Sequence, residues 1–141
     1  MFKNLLKKKE KVNKDKNFIP IIALLVHAAK VDENYTNSEK EIIRKIIMEL
    51  NQINYEDSGK ILKIAEDAEE NSNQIIGFTK EIKKYPMEFR LKIIEIIWKI
   101  VYSDGASDTY ESSLIRRICG LLYISDKDNG VIKAKVQSLQ K

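Results

Sequence analysis

Two pairs of acidic residues occur in this chain with the same internal spacing, and each pair precedes the same apolar pattern. The pairs are Asp32 with Glu39 and Asp104 with Glu111. Carboxylate oxygens are the ligands that Ca²⁺, Mg²⁺ and Mn²⁺ prefer in proteins. Two such loops, brought face to face by pseudo-symmetry, could hold a divalent cation that neither loop would hold alone. The spacing therefore predicts a shared cation site, although it indicates no reaction.

The duplication continues into the helix that follows each acidic loop. At a constant offset and without a gap, the paired positions are Ile42 and Leu114, Ile43 and Ile115, Arg44 and Arg116, Ile46 and Ile118, and Ile47 and Cys119. Two copies of one helix-loop-helix unit are the economical explanation of this agreement. We therefore expect two pseudo-symmetric repeats.

Helix capping alone accounts for part of the acidic pattern. Thr36 with Glu39, and Asp108 with Glu111, each fit a capping box. In such a box the first side chain accepts an amide proton of the new helix, and the glutamate reaches back to the amide of the first residue. Each box contributes about 1 kcal/mol to helix stability. These residues therefore have a structural explanation that needs no metal.

Capping does not explain Asp32 and Asp104, each of which follows the predicted end of a helix. The helix dipole makes a carboxylate unfavourable there, unless a cation or a basic side chain offsets it. The acidic pattern, which is eight residues long from Asp32 to Glu39, does not match the 12-residue loop of an EF-hand. The candidate ligands are Asp32, Glu39, Asp104, Asp108 and Glu111.

Histidine and cysteine are scarce in this chain. His27 is the sole histidine and Cys119 the sole cysteine, and both fall in apolar helical rows. Zinc binding is therefore disfavoured, because zinc prefers histidine and cysteine ligands. A catalytic triad is also disfavoured, because no serine or cysteine has a second histidine with which to form one. There is no glycine-rich phosphate loop. Phosphoester hydrolysis by two metals lacks a visible base, phosphate clamp or substrate pocket. We expect His27 to be packed within the fold. We also expect the protein to have no enzymatic activity and no small-molecule substrate.

Composition indicates one helical domain. The chain has 141 residues, 43% hydrophobic and 33% charged, with only 5 Gly and 2 Pro. This length suits a single domain with a sizeable core. A single cysteine cannot form an internal disulfide, which favours a reducing, cytoplasmic location. The apolar run 18–29 is too short to span a membrane.

Hydrophobic periodicity predicts an all-α, single-domain bundle over residues 17–141. The predicted helices are 18–31, 37–50, 56–70, 73–84, 87–102, 109–122 and 127–139. The first and fifth are apolar almost all round, so other helices must cover them on most sides. We expect these two helices to pack together at the centre.

Residues 1–16 form a separate lysine-rich segment. Seven lysines stand there against Glu10 and Asp15, and Phe2, Leu5 and Leu6 share one side of a short helical pattern. Such a pattern is typical of a weak anchor for anionic lipid, or of a contact with nucleic-acid phosphates. A solvated, frayed segment explains it equally simply. The candidate contact residues are Lys3, Lys7, Lys8, Lys9 and Lys11.

The repeated loops resemble the TerB-like family, which is named for tellurite resistance. The matching stretches are HAAKVDENYTNSEKEIIRKII (27–47) and KIVYSDGASDTYESSLIRRICGLL (99–122). The second fits the family pattern through Asp104, Gly105 and Glu111, whereas the first has Glu33 where the family usually has glycine. The similarity covers residues 17–140.

This resemblance implies a duplicated all-helical domain with a non-catalytic role. Family members look like adaptor modules of bacterial stress systems, at the inner face of the membrane or beside other domains, with protein partners. Their acidic residues are proposed to chelate metal. Carried over to this chain, those positions are Asp32, Glu39, Asp104, Asp108 and Glu111. A likeness at the level of the fold does not make tellurite itself the physiological ligand.

Overall fold

The computed structural model describes residues 18–31, 35–104 and 109–139, and for 104 and 109–111 it describes the backbone alone. In order, the α-helices of these ranges are α1 Ile19–Lys30, α2 Asn37–Asn51, α3 Tyr55–Glu70, α4 Ile76–Ile82, α5 Met87–Val101, α6 Thr109–Leu121 and α7 Asp126–Leu139. A 3₁₀ turn, Tyr102–Asp104, follows α5. The described ranges contain no strand, so the all-α prediction is confirmed.

The two apolar helices α1 and α5 pack against each other at the centre, as predicted. Helix α1 is also covered by α2, α3, α4 and α6, while α5 is covered on another side by α7. Every residue of α1 from Ile21 to Val26 is buried, as is every residue of α5 from Ile93 to Trp98. One of these buried residues, Glu95, is charged. The core is therefore built around two helices that have almost no solvent-facing side.

Helix α4 is shorter than the periodicity predicts. The expected helix covered 73–84, whereas α4 occupies Ile76–Ile82. The Ser72 hydroxyl donates a 2.7 Å hydrogen bond to the Gln74 carbonyl, which holds a turn in front of the helix. At the other end, Pro86 disfavours helical conformation in the residue before it. The other boundaries agree with the predictions to within a residue or two.

Trp98 packs in the interior of the α5–α7 interface. Its indole Nε1 donates a 2.9 Å hydrogen bond to Asn129 Oδ1 on α7. Its ring stacks on Tyr102 with the centroids 5.7 Å apart, and the Lys133 ammonium lies 5.2 Å from the ring centroid. These contacts give the tryptophan a packing role between α5 and α7. Among the described helices, none combines the length and the apolar character needed to cross a bilayer.

Candidate functional site

The predicted site residues are described to different extents. Asp32 and Asp108 lie outside the described residues, as do Lys3, Lys7, Lys8, Lys9 and Lys11. The backbone places Asp104 at the end of the 3₁₀ turn and Glu111 in the first turn of α6. Glu39 is the candidate ligand whose side chain is described. Convergence of the two acidic loops therefore stays a prediction.

Glu39 caps helix α2 together with Thr36. The Thr36 amide donates a 2.7 Å hydrogen bond to Glu39 Oε1, and the Glu39 amide donates a 3.2 Å hydrogen bond to Thr36 Oγ1. The Glu39 residue is only 1% exposed. The capping interpretation of this pair is thus confirmed. A role for Glu39 as a metal ligand stays a prediction.

Both ends of the first acidic loop are tied to the last turns of α3. On the α1 side, Lys30 Nζ donates a 2.7 Å hydrogen bond to Glu69 Oε1, and His27 Nδ1 lies 3.0 Å from Glu69 Oε2. On the α2 side, the Tyr35 hydroxyl donates a 2.7 Å hydrogen bond to Glu66 Oε2. The chain between Val31 and Tyr35 therefore starts and finishes beside one acidic helix end.

The pKa values of this cluster reflect its geometry. Burial raises the pKa of the Tyr35 hydroxyl well above its usual range, and the hydrogen bond to Glu66 raises it further. For Glu69, burial raises the carboxyl pKa, but the hydrogen bonds from Lys30 and His27 together outweigh burial and lower it below its ordinary value. The hydrogen bond to Glu69 raises the pKa of Lys30. Glu69 is therefore held as a carboxylate and Lys30 as an ammonium at neutral pH.

Sequence reasoning missed Glu66 and Glu69, although a signal was present. Helix α3 ends with Glu66, Asp67, Glu69 and Glu70, and its last turn holds no basic residue. Carboxylates at the C-terminal end of a helix are unfavourable, because the helix dipole places partial negative charge there. The same reason applies to Asp32 and Asp104. The same dipole reason, at the end of the helix predicted over 56–70, indicates Glu66 and Glu69 as further candidates.

The second acidic loop starts from a well-packed position. The 3₁₀ turn Tyr102–Asp104 packs against α5 and against α2, the helix that Thr36 and Glu39 cap. The Ser103 hydroxyl donates a 2.7 Å hydrogen bond to the Ile100 carbonyl, and Tyr102 is buried. The backbone that carries Asp104 is therefore fixed by the core on one side of the loop.

Two residues with potential chemistry have structural surroundings. His27 is not enclosed by apolar neighbours, because its side chain is 36% exposed and pairs with Glu69. Cys119 is fully buried, and burial raises the pKa of its thiol to about 12. A thiol with that pKa is not a nucleophile at neutral pH. Among the residues whose side chains are described, no group of three His, Cys, Asp or Glu is arranged to hold a metal ion.

A second polar cluster surrounds Glu95 on the face of α5 that meets α7. Lys135 Nζ donates a 3.1 Å hydrogen bond to Glu95 Oε1, Lys99 Nζ lies 3.3 Å from Oε2, and Lys92 Nζ lies 3.6 Å from Oε1. Burial raises the pKa of the Glu95 carboxyl, but the lysines together outweigh it and lower that pKa below its ordinary value. Because Glu95 lies on α5 and Lys135 lies on α7, their contact links the two helices electrostatically.

Comparison with known proteins places the chain in a family. The family model described as "Tellurite resistance protein TerB" matches residues 18–134, which includes all seven described helices at least in part. No curated protein and no solved structure matches the chain significantly. The family match covers most of the sequence and agrees with the all-helical architecture. The chain therefore belongs to the TerB family.

Proposed function

We propose that this chain is a non-catalytic interaction module of a tellurite-resistance-type stress system, acting in the cytoplasm. In this proposal the two acidic loops bind one divalent cation, Ca²⁺, Mg²⁺ or Mn²⁺, and present the resulting surface to a protein partner. Asp32 and Asp104 are the central ligands, and Asp108 and Glu111 complete the set with Glu39 in its capping position.

The observation that carries the proposal is the double attachment of the first loop to α3. Lys30 and Tyr35 hold the two ends of that loop through Glu69 and Glu66. A cation site needs ligands that are held in place before the ion arrives, because ordering them on binding would cost conformational entropy. A loop attached at both ends meets this need better than a free one.

Electrostatics around the first loop favour a cationic ligand. Besides Glu66, the carboxylates of Glu39 and Glu69 also act to raise the pKa of the Tyr35 hydroxyl, so they lie within electrostatic reach of it. Lys30 and His27 pair with Glu69, and Lys63 pairs with Asp67, while Glu66 and Glu70 are further carboxylates of the same helix end. A bound cation or a basic partner would offset this concentration of negative charge.

The surroundings of the reactive side chains support a non-catalytic role. Cys119 is a buried thiol inside the core, and the exposed ring of His27 is engaged by Glu69 beside Lys30. A general base must reach a substrate proton, and a nucleophile must be accessible and ionised. The buried Cys119, whose thiol pKa is raised to about 12, does not meet these conditions in the described geometry.

Thermal unfolding with Ca²⁺, Mg²⁺ or Mn²⁺ tests the cation site. Metal at 100 times its dissociation constant should stabilise the folded domain by about 2.7 kcal/mol, which raises the melting midpoint by several degrees. Asp104→Asn should cancel most of that shift. Glu56→Gln is the matched control, since it also removes one carboxylate, from an exposed position on α3. Unchanged melting with all three metals would show that the loops bind no cation.

A further inference from the structure

A groove of about 330 Å³ lies between α5 and α7. Its apolar lining is formed by Leu91 on α5 and by Val131 and Ile132 on α7. Val131 is 62% exposed, although it is β-branched and apolar. The groove therefore offers apolar surface whose burial would be favourable.

The edge of this groove carries two carboxylates. Glu88 and Asp128 line it, each in the first turn of its helix. Lys92 and Glu95 also line it and pair with each other, and Lys99 and Lys135 bind the same Glu95 carboxylate. Within the part of the chain that the structure describes, Glu88 and Asp128 form no ion pair. A ligand with apolar side chains flanked by positive charges would therefore complement this groove.

We propose that residues 2–11 of the same chain bind in this groove. Phe2, Leu5 and Leu6 follow the i, i+3, i+4 spacing of one helical face, which suits an apolar groove. Lys3, Lys7, Lys8, Lys9 and Lys11 surround them in the sequence and would meet the carboxylates of Glu88 and Asp128. The lysine-rich segment and the α5–α7 groove thus match in both apolar pattern and charge.

The length of the connecting chain permits this contact. About twelve residues separate Leu6 from Phe18, where the described structure begins. At roughly 3.3 Å per residue, an extended connection reaches about 40 Å. A domain of this size has a radius of gyration of about 14 Å, so the extended connection is nearly three times as long as that radius. Complementarity of charge and shape, and not the tether, then selects the groove.

Paramagnetic relaxation enhancement in the full-length protein tests the proposal. A nitroxide is attached to Asn4→Cys, and the buried thiol of Cys119 stays unmodified while the protein is folded. The amide signals of Leu91 and Val131 should lose most of their intensity. Ile64 on α3, an apolar residue that is 50% exposed, is the matched position that should keep its signal.

Variants and a mixed sample complete the test. Val131→Lys should restore the signals at the groove, because it places a positive charge in the apolar lining and repels the lysine-rich segment, whereas Ile64→Lys should leave the broadening at Leu91 unchanged. Added salt should weaken the broadening. Equal effects at Val131 and Ile64 would overturn the proposal. So would broadening in a mixture of spin-labelled protein with isotope-labelled, unmodified protein, because the segment would then come from a second copy.

Discussion

Tyr35 and Glu66 are joined by a 2.7 Å hydrogen bond across a sequence separation of 31 residues. The bond connects the residue that precedes the α2 cap to the last turns of α3. Tyr35 has Lys40 on its ring, with the ammonium 4.7 Å from the centroid. The tyrosine therefore ties together the second end of the first acidic loop, the start of α2 and the end of α3.

Removing the Tyr35 hydroxyl should destabilise the fold. Tyr35→Phe deletes a half-buried hydrogen bond to a carboxylate, and we expect a loss of about 1 to 2 kcal/mol in the free energy of unfolding, measured with urea. Tyr55→Phe is the control, because its hydroxyl also donates to a glutamate, Glu41, but at an exposed position. An equal loss in both variants would show that burial of Tyr35 adds nothing.

Glu69 should make stability depend on pH in the acidic range. Its folded pKa lies below its ordinary value, so the unfolded chain binds the proton more readily. The stabilisation is therefore fully present above about pH 5 and is lost as the pH falls through the folded pKa. Glu69→Gln should be less stable at pH 7, and its deficit relative to the wild type should shrink towards pH 3.

Chemical denaturation at several pH values measures this effect. Glu70→Gln removes the neighbouring carboxylate of the same helix end, at an exposed position, and is the control. We expect its acid profile to follow that of the wild type. A constant deficit for Glu69→Gln at every pH would contradict the assignment of the ionised pair with Lys30.

Glu95 should be needed to hold its lysine neighbours together. Glu95→Gln leaves the ammonium groups of Lys92, Lys99 and Lys135 without the shared carboxylate, and we expect a loss of about 2 kcal/mol. Because like charges then repel, added sodium chloride should stabilise this variant more than it stabilises the wild type. Lys99→Gln, which leaves two of these ammonium groups on Glu95, should cost less. Equal salt dependence of Glu95→Gln and the wild type would refute this explanation.

The hydrogen bond from the buried indole of Trp98 to Asn129 should contribute to the stability of the fold. Asn129→Ala removes the acceptor of a buried donor, which costs about 1 to 3 kcal/mol. Trp98 is the single tryptophan, so its fluorescence follows unfolding directly. Asn129→Asp keeps an oxygen at the accepting position and should retain most of the stability. A similar loss in both variants would indicate that the amide acts through other contacts.

The sequence was most informative where a pattern is local. The central position of α1 and α5 followed from apolar residues around their whole circumference, and the Thr36–Glu39 capping box followed from two residue types at a fixed spacing. Both were confirmed, because an apolar helix circumference and a capping box are each set by residue types only a few positions apart.

The contacts that position the first acidic loop could not be read in this way. Tyr35 finds Glu66, and His27 finds Glu69, only after α3 has folded back along α1. The number of residues between such partners depends on the length of α2 and on the turn before α3. No fixed residue spacing in the sequence therefore predicts them. For the same reason His27 was expected to be enclosed, whereas the last turn of α1 reaches the edge of the core.

The central position of α1 also has a consequence for biosynthesis. Helix α1 lies near the beginning of the described chain, but the helices that cover it extend as far as α6. A ribosome adds about 5 to 20 residues per second. Several seconds therefore pass between the synthesis of α1 and the synthesis of α5. During that interval the side of α1 that α5 and α6 cover lacks its partner helices. We therefore expect a chaperone that holds emerging polypeptides to matter more for producing this protein than for keeping it folded afterwards.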